Sequence, residues 1–394
     1  MGEDEKGVDL ERLLVQWRRQ LHQQPELSRQ ERETSRFIIG ELRKMGIEIQ
    51  TFQDHYGVCA TIRGKLAGPI VVFRADMDAL PVTELNEVEY KSQHHGVMHA
   101  CGHDAHMAMA LGVAKWFSDR RDSLAGVIKV IFQPAEEAAP IGGADLMIKE
   151  GVLAGAKAIF GMHVWPDLPC GMIGIRKGAL MAASDRLTIN LFGHGAHAGQ
   201  PHHGVDAIMM SADVLQGIGH IVSRQIDPLE TATISIGCIR GGDRYNVIAR
   251  EVVLEGTVRT LGETVRKELP DKLERMVGGI AASHGGSYKV SYQHGYPVLN
   301  NWSDPVDIVI DVATGIIGRD NVNQAIKPAL TAEDFSKYLL QLPGAFFWLG
   351  CGSANGDDCV LHSPNFDIDE SALLVGVKIM CSSGLVALER YKHA

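Results

Sequence analysis

Three apolar runs, each followed by polar residues, constrain the possible folds of this chain more than any other feature of its sequence. The runs lie in "GPIVVFRADMDALP", "VIKVIFQPAEE" and "AKAIFGMHVW", and the segment "DAHMAMALGVAKWFSDR" between the first two has a helical pattern. Strands that alternate with helices predict an α/β domain with a mostly parallel sheet. Asp104 is predicted to cap the start of the helix.

The sequence pattern changes near residue 180. Downstream strands alternate polar and apolar residues, as in "TATISIGCIRGG" and "REVVLEGTVRTL", and two helices are predicted at about 205–224 and 262–284. The order strand, helix, strand, strand, helix, strand indicates a separate α+β unit. After Pro297 the buried-strand and helical patterns return, and 394 residues exceed what one core usually serves. We therefore predict a first domain split into 1–180 and 296–394, with an inserted domain over 181–295.

Charge and cysteine content argue against several classes of protein. The formal net charge is −10 and Lys and Arg form no basic run, so neither nucleic acid nor a membrane is an expected partner. No apolar run is long enough to span a membrane, and the acidic start "MGEDEKGVDL" lacks the pattern of a secretory signal. The seven cysteines contain no C-x-x-C pair. Reduced thiols in a cytoplasmic protein are therefore expected.

The stretch "MHACGHDAH" concentrates side chains that bind metals. On one helix Cys101 and His103 would point to nearly opposite sides, whereas in a loop between a strand and a helix both can turn toward one point. Open α/β sheets hold their sites at the carboxyl ends of their parallel strands, so donors that follow strands are expected to converge. Further donors follow the other predicted strands, namely Glu136, Glu137, His163 and His362.

The number and type of these donors indicate a catalytic metal site. Five donors exceed the four that close a structural zinc site, and a mixed sulfur, nitrogen and oxygen set suits two ions. Glu136 beside Glu137 leaves one carboxylate to act as a base toward a water molecule. A metal-binding protein without catalysis is the alternative class, but such a site has no use for the extra base. The five predicted ligands are Cys101, His103, Glu137, His163 and His362.

Further motifs support a resemblance that covers nearly the whole chain. The chain resembles the M20 metallopeptidase and amidohydrolase family, in the branch of hippurate hydrolases, N-acyl-amino-acid amidohydrolases and plant auxin-conjugate hydrolases. The motifs are "RRQLHQQPELS", "VVFRADMDALP", "MHACGHDAH", "FQPAEE", "GMHVWPDLPCGMIGIRKG", "GHGAHAGQPHHGVDAI", "EDF" and "LHSPNFDIDE".

The resemblance implies a catalytic domain that is interrupted by a lid or dimerisation domain. It implies that the five donors hold two divalent ions (zinc, manganese, cobalt or nickel) and that Glu136 is the base. In the insert, His197 resembles a lid histidine that stabilises the oxyanion, often from the neighbouring subunit. Asn246 and Arg259 resemble lid residues that bind the substrate carboxylate, although Arg259 on an alternating strand is equally compatible with a surface charge.

One motif departs from the family pattern. The wider family often has a His-x-Asp ligand motif where this chain has Asp76-Met77-Asp78, so the roles of Asp76 and Asp78 stay open. We interpret Asp78 as a residue that supports a metal ligand through a hydrogen bond. His106, inside the predicted helix, is interpreted as a packing residue or as a similar support.

The implied reaction is hydrolysis of an N-acyl-L-amino acid to a carboxylic acid and an amino acid. Hippurate, N-acetyl-amino acids and auxin conjugates are the substrate types that the resemblance implies, with a homodimer or homotetramer as the assembly. A metallo-carboxypeptidase or dipeptidase is an alternative, because it breaks the same bond. N-acetyl-diaminopimelate deacetylation is another.

Overall fold

The computed structural model describes residues 3–352 and 360–392. The helices are α1 Glu3–Gln23, α2 Arg32–Lys44, α3 His103–Ser118, α4 Ala144–Lys149, α5 Ala207–Arg224, α6 Glu263–His284, α7 Ser303–Ile317, α8 Ser336–Leu339 and α9 Ala372–Arg390, with short 3-10 turns at Pro201–His203 and Arg319–Asn321. The strands are β1 Glu48–Thr51, β2 Val58–Arg63, β3 Leu66–Asp76, β4 Ala125–Gln133, β5 Ala156–Pro169, β6 Ile173–Gly174, β7 Gly178–Met181, β8 Ala183–Phe192, β9 Ala232–Gly241, β10 Glu251–Thr260, β11 Ser287–Tyr296, β12 Leu299–Asn301, β13 Val322–Asn323 and β14 Gly344–Gly352.

The chain divides into two compact units. The first comprises Met1–Leu180, Asn300–Lys327 and Asp334–Ala394, and the second comprises Met181–Leu299 and Pro328–Glu333. The short segment Pro328–Glu333 is held in the second unit by backbone bonds, since the Ala182 amide donates to the carbonyls of Ala329 and Thr331. No periodic pattern in the sequence marks this segment, because its contacts are with residues far away along the chain.

The first unit is built on an eight-stranded sheet in the order β1-β2-β4-β3-β5-β14-β6-β13. The neighbouring pairs β4–β3, β3–β5 and β5–β14 are parallel. The predicted α/β class with a mostly parallel sheet is therefore confirmed. The late strand β14 lies beside β5, which brings the C-terminal part of the chain to the middle of the sheet.

Helix α3 is buried around most of its circumference, from His103 to Ala114. The prediction that Asp104 caps this helix is wrong, because α3 begins at His103 and its N-cap is Gly102. Asp104 is instead 1% exposed and accepts hydrogen bonds from Arg18 Nε at 2.9 Å and His22 Nδ1 at 2.7 Å. A carboxylate at this depth needs charged partners, and α1 supplies them.

Helix α9 is long and apolar enough to cross a membrane by length and composition alone. However, 61% of its apolar window is buried inside the protein, where it packs against α3, α7 and β3. Its apolar residues thus serve the core of the first unit.

The second unit contains a four-stranded antiparallel sheet in the order β11-β8-β10-β9. Along β8, alternate residues such as Leu187, Ile189 and Leu191 are buried and join the core that α5 and α6 complete. Period-two alternation is expected for a sheet with one covered face. The order β8-α5-β9-β10-α6-β11 is the one that the sequence predicts.

Candidate metal centre and active site

Gly102 allows Cys101 and His103 to face the same point. Gly102 adopts φ 82°, and a Cβ atom there would lie 2.3 Å from Val164 Cγ2, so a side chain is excluded both by conformation and by space. The turn brings Cys101 Sγ to 3.3 Å from His163 Nε2. Donor atoms of Cys101, His103 and His163 all lie within 4.8 Å of one another.

The remaining predicted donors join the same cluster within the first unit. Cys101, Glu137 and His362 form a second group within 4.8 Å, as do His103, Glu136 and Glu137. His362 Nε2 lies 3.4 Å from Glu137 Oε1. The structure thus brings all five predicted donors and Glu136 together.

His163 does not end its strand, although the sequence pattern suggests this. Strand β5 continues to Pro169. The neighbouring strand β3 ends at this level. Its Arg74 pairs with Gly161 of β5, and its last residue, Asp76, is two residues further along. His163 therefore lies at the carboxyl end of β3, where the donors that follow the other strands also lie.

Two histidines direct their Nε2 atoms into the cluster. His103 Nδ1 donates to the Asp78 carbonyl at 2.8 Å, and His163 Nδ1 donates to the Val164 carbonyl at 2.6 Å. A backbone bond at one ring nitrogen fixes the tautomer that leaves the other as a lone-pair donor, as in metal-binding histidines. His103 Nε2 and Glu137 Oε1 are buried and have no hydrogen-bond partner. Because unpartnered buried polar atoms are costly, their convergence fits a bound cation.

Electrostatics of the cluster also favour a cation. Burial lowers the pKa of His103, but the carboxylates of Asp76, Asp78 and Glu137 outweigh burial and raise this pKa to about 10. Burial, reinforced by the charges of the nearby glutamates, raises the pKa of the Cys101 thiol well above its usual value. Burial is the larger cause for the thiol, but nearby negative charge contributes to both shifts. A divalent ion would offset that charge while deprotonating the thiol.

Asp78 holds the segment that carries the two glutamates. Its Oδ1 accepts from the Glu136 amide at 3.0 Å and its Oδ2 accepts from the Glu137 amide at 2.9 Å. Ser28 Oγ donates to the same Oδ2 at 2.6 Å, and His103 Nδ1 lies 3.5 Å from Oδ1. Asp78 can therefore orient a donor and the predicted base at once.

Asp76 belongs to a buried network that also contains His106. His106 Nδ1 donates to Asp76 Oδ1 at 2.7 Å, while His106 Nε2 accepts from the Val164 amide at 2.9 Å. With both ring nitrogens bonded to protein, His106 supports the neighbouring groups. Its bond to the Val164 amide also ties α3 to β5, next to His163.

Two residues of this network were missed in the sequence. Arg74 donates to Asp76 at 2.7 Å and to Asp334 at 2.8 Å, and Asp334 also accepts from the amides of Gly143 and Ala144. The available signal was an arginine inside the apolar run "VVFRADMD". A charged residue in a buried strand requires a charged partner.

In the second unit, His197 and Asn246 lie next to each other. His197 forms an isolated β-bridge with Val247, and the Ala198 amide donates to the Asn246 carbonyl at 3.1 Å. The side chain of His197 is exposed. Asn246 Oδ1 is buried without a hydrogen-bond partner, which leaves it available to a ligand.

Arg259 lies at the other end of the same sheet. It pairs in register with Ser184 at the start of β8, whereas Glu251 pairs with Phe192 at the end of β8. The eight residues from Glu251 to Arg259 span about 26 Å of strand, and Asn246 lies in the turn before Glu251. Arg259 donates to Ser184 Oγ, and no carboxylate within the described part of the chain pairs with it. The structure therefore does not place Arg259 with His197 and Asn246.

Comparison with known proteins agrees with this geometry. Residues 72–383 match the model of peptidase family M20/M25/M40. The chain is 45% identical to an N-acyl-L-amino acid amidohydrolase of Geobacillus stearothermophilus over 73% of this chain and 78% of that protein. It is 39% identical to thermostable carboxypeptidase 2 of Saccharolobus solfataricus over 93% of each chain. A crystal structure of a Bacillus subtilis dinuclear metal-binding peptidase from the M20 family is similar, with a TM-score of 0.85, 35% identity and coverage of 97% of this chain and 99% of that one. The chain therefore belongs to peptidase family M20/M25/M40, a family of metal-dependent hydrolases.

Proposed function

We propose that this protein hydrolyses the amide bond of N-acyl-L-amino acids and releases a carboxylic acid and an amino acid. The observation that carries this proposal is the position of Glu136, whose carboxylate lies within 4.8 Å of donor atoms of both His103 and Glu137. A cluster that only stores metal needs no adjacent carboxylate of this kind. An amide hydrolase needs one to move the proton of the attacking water.

Two divalent ions are proposed for the cluster. Cys101 belongs to both of the groups that contain His163 and His362, and the two groups together would hold two ions. The mixture of thiolate, imidazole and carboxylate is compatible with zinc, manganese, cobalt or nickel.

Glu136 performs the proton transfers in this proposal. When bound, the ions supply Lewis acidity that lowers the pKa of water and polarises the substrate carbonyl. Glu136 takes a proton from the attacking water and passes it to the nitrogen of the leaving amino acid. Asp78 accepts a hydrogen bond from the Glu136 amide. This bond holds the backbone of the base in place, so the base needs less reorientation during the reaction.

We propose that His197 donates to the oxyanion, and that Asn246 and Arg259 bind the carboxylate of the substrate. His197 and Asn246 lie at one end of the second-unit sheet and Arg259 lies at the other. In this proposal, the two ends of one sheet therefore belong to two different substrate sites. This supports a homodimer through the insert, or a tetramer of such dimers, in which one subunit completes the site of its neighbour.

An aromatic pair beside the cluster favours substrates with an aromatic acyl group. Trp165 stacks on Trp348 with ring centroids 4.1 Å apart, and its ring lies edge-on to His163 at 6.0 Å. Trp165 is only half-buried, so part of its ring is available to a ligand. Of the substrate types considered, hippurate and auxin conjugates carry a ring in the acyl group that can use this surface.

The relatives support an amidohydrolase first and a carboxypeptidase second. The relative with 45% identity is named an N-acyl-L-amino acid amidohydrolase. The carboxypeptidase relative favours cleavage of a peptide as the second candidate, and N-acetyl-diaminopimelate deacetylation is a third. We propose a cytoplasmic protein without nucleic-acid or membrane partners, which is supported by the net charge of −10 and by the free thiols of Cys59, Cys101, Cys170, Cys238 and Cys381.

A substrate panel tests the proposal. Protein loaded separately with Mn²⁺, Zn²⁺, Co²⁺ or Ni²⁺ is assayed with hippurate, N-acetyl-amino acids, an auxin conjugate, N-acetyl-diaminopimelate and dipeptides. We expect the highest kcat/KM for the two substrates with an aromatic acyl group, hippurate and the auxin conjugate. Faster cleavage of dipeptides would establish the second candidate, and faster cleavage of N-acetyl-diaminopimelate would establish the third. No cleavage of any amide with any of these metals would reject all three.

A further inference from the structure

We propose that Glu31 is a positioning residue that holds the turn in front of Glu136. The inference rests on the proposed role of Glu136 as the base. The Glu31 side chain is fully buried, and its Oε1 accepts two backbone hydrogen bonds, from Arg29 and from Ala135, each at 2.8 Å. Ala135 directly precedes Glu136, yet it is 104 positions from Glu31 in the sequence.

Both donors to this oxygen have an unfavourable backbone conformation. Among the residues that the structure describes, three non-glycine residues have positive φ: Arg29 at 67°, Ala135 at 58° and His362 at 66°. L-residues avoid this region because Cβ approaches the following carbonyl. One carboxylate oxygen therefore holds two of the three strained positions.

The left-handed turn at Ala135 decides where the two glutamates point. The amides of Ala135, Glu136 and Glu137 are consecutive, and all three donate to buried carboxylates, the first to Glu31 and the other two to Asp78. Asp78 also contacts His103, whereas no hydrogen bond joins Glu31 to any proposed metal ligand among the described residues. Glu31 thus acts on the path of the chain and not on the donors.

Glu31 does not have the usual role of a carboxylate at a helix start. It is the N-cap residue of α2, but its side chain makes no capping bond. Glu26 Oε2 accepts instead from the amide and the hydroxyl of Thr34, at 2.8 and 2.9 Å. Glu31 Oε2 is buried without a partner. The Glu31 carboxylate does not cap α2, and one of its oxygens has no partner. Stability alone therefore explains its burial poorly.

The first experiment compares Glu31→Gln, Glu31→Ala, Ala135→Gly and the two double variants Glu31→Ala/Ala135→Gly and Glu31→Ala/Arg29→Gly. Burial and the charge of Asp78 raise the pKa of Glu31 to about 7, so glutamine resembles its neutral form and can still accept both amides. We expect Glu31→Gln to keep kcat within about threefold and Glu31→Ala to lose about tenfold or more with little change in KM.

Glycine at position 135 is the decisive change, because glycine enters the left-handed region without the Cβ penalty. Ala135→Gly alone should leave kcat near the wild-type value, whereas in the Glu31→Ala background it should restore about tenfold. Arg29→Gly relieves the other strained residue that Glu31 holds, but Arg29 does not belong to the chain segment that carries Glu136. It should therefore restore no kcat, and it serves as the matched control.

The coupling between Glu31 and Ala135 can also be measured without turnover. In chelated protein, Ala135→Gly should raise Tm more in the Glu31→Ala background than in the wild type. Additive effects on both Tm and kcat, or equal rescue of kcat by Arg29→Gly, would overturn the proposal. If Glu31→Ala fails to fold, Glu31→Asp, which withdraws the oxygen from both amides, takes its place with the same expectations. Full activity of Glu136→Gln would reject the proposed base instead, and the Tm coupling would still decide whether Glu31 holds the turn.

Discussion

Cys101 Sγ lies 3.3 Å from His163 Nε2, although 62 positions separate the two residues in the sequence. Gly102 turns the first residue inward, and parallel pairing with β3 sets the height of the second. The contact places a soft donor and an imidazole at the centre of a cluster whose remaining donors are carboxylates and histidines.

Removal of metal should abolish hydrolysis, and a divalent ion should restore it, because the donors of the cluster have no other means of activating water. Chelation should also lower Tm, since an ion that binds only the folded state stabilises that state. Metal analysis of saturated protein should approach about two ions per chain. Full activity in exhaustively chelated protein would remove metal from the reaction, and a firm stoichiometry of one would indicate a mononuclear centre.

Glu136→Gln should keep its metal and its fold but lose kcat by several orders of magnitude, because an amide cannot accept the proton of water. Cys101→Ala should instead lose metal affinity about tenfold or more. Cys381→Ala, which removes a buried thiol in α9, is the matched control and should change neither property. Loss of metal in Glu136→Gln together with normal metal content in Cys101→Ala would show that the two roles are assigned the wrong way round.

His197→Ala should lower kcat sharply with little change in metal content or KM. If His197 serves the neighbouring subunit, co-assembly of His197→Ala with Glu136→Gln should regain activity, because one site then combines an intact Glu136 with an intact His197. Random dimers from equal amounts should reach about a quarter of wild-type activity. Demonstrated mixed dimers without activity would mean that His197 acts within its own chain or is structural.

The stability of the chelated protein should depend on pH through His22. Burial lowers the pKa of His22, but Asp104 and Glu84 outweigh both burial and the positive charge of Arg18, and they raise this pKa to about 9. Since the folded value exceeds the unfolded value of about 6.5, the contribution is complete below about pH 6.5 and is lost as the pH rises through about 9.

This contribution is on the order of 3 kcal/mol. The difference in Tm between wild type and His22→Gln should therefore shrink between about pH 6.5 and pH 9.5. His220→Gln, on the exposed face of α5, is the control and should give a difference that does not change. A Tm difference between wild type and His22→Gln that stays constant over this pH range would contradict the raised pKa of His22.

The sequence by itself determined the class of the sheet and the identity of the cluster. Continuous apolar runs separated by helical segments follow from burial of strands on both faces, and this signal is local. Each candidate donor stands near the end of such a run or in the loop beyond it. Because carboxyl ends of parallel strands share one edge of a sheet, the convergence of Cys101, His103, Glu137, His163 and His362 could be predicted without coordinates.

Only the tertiary structure decided which residues hold the cluster in place. The sequence predicts Asp104 as a helix cap, but its side chain bonds to Arg18 and His22 of another helix. Glu31 is the N-cap residue of α2, yet its side chain bonds to Ala135. The opposite positions of Asn246 and Arg259 likewise depend on strand register. Periodicity reports burial and local conformation, whereas these contacts join residues far apart in the chain. A buried charge needs a partner at the same depth, and which residues are buried at that depth is settled only when the chain has folded.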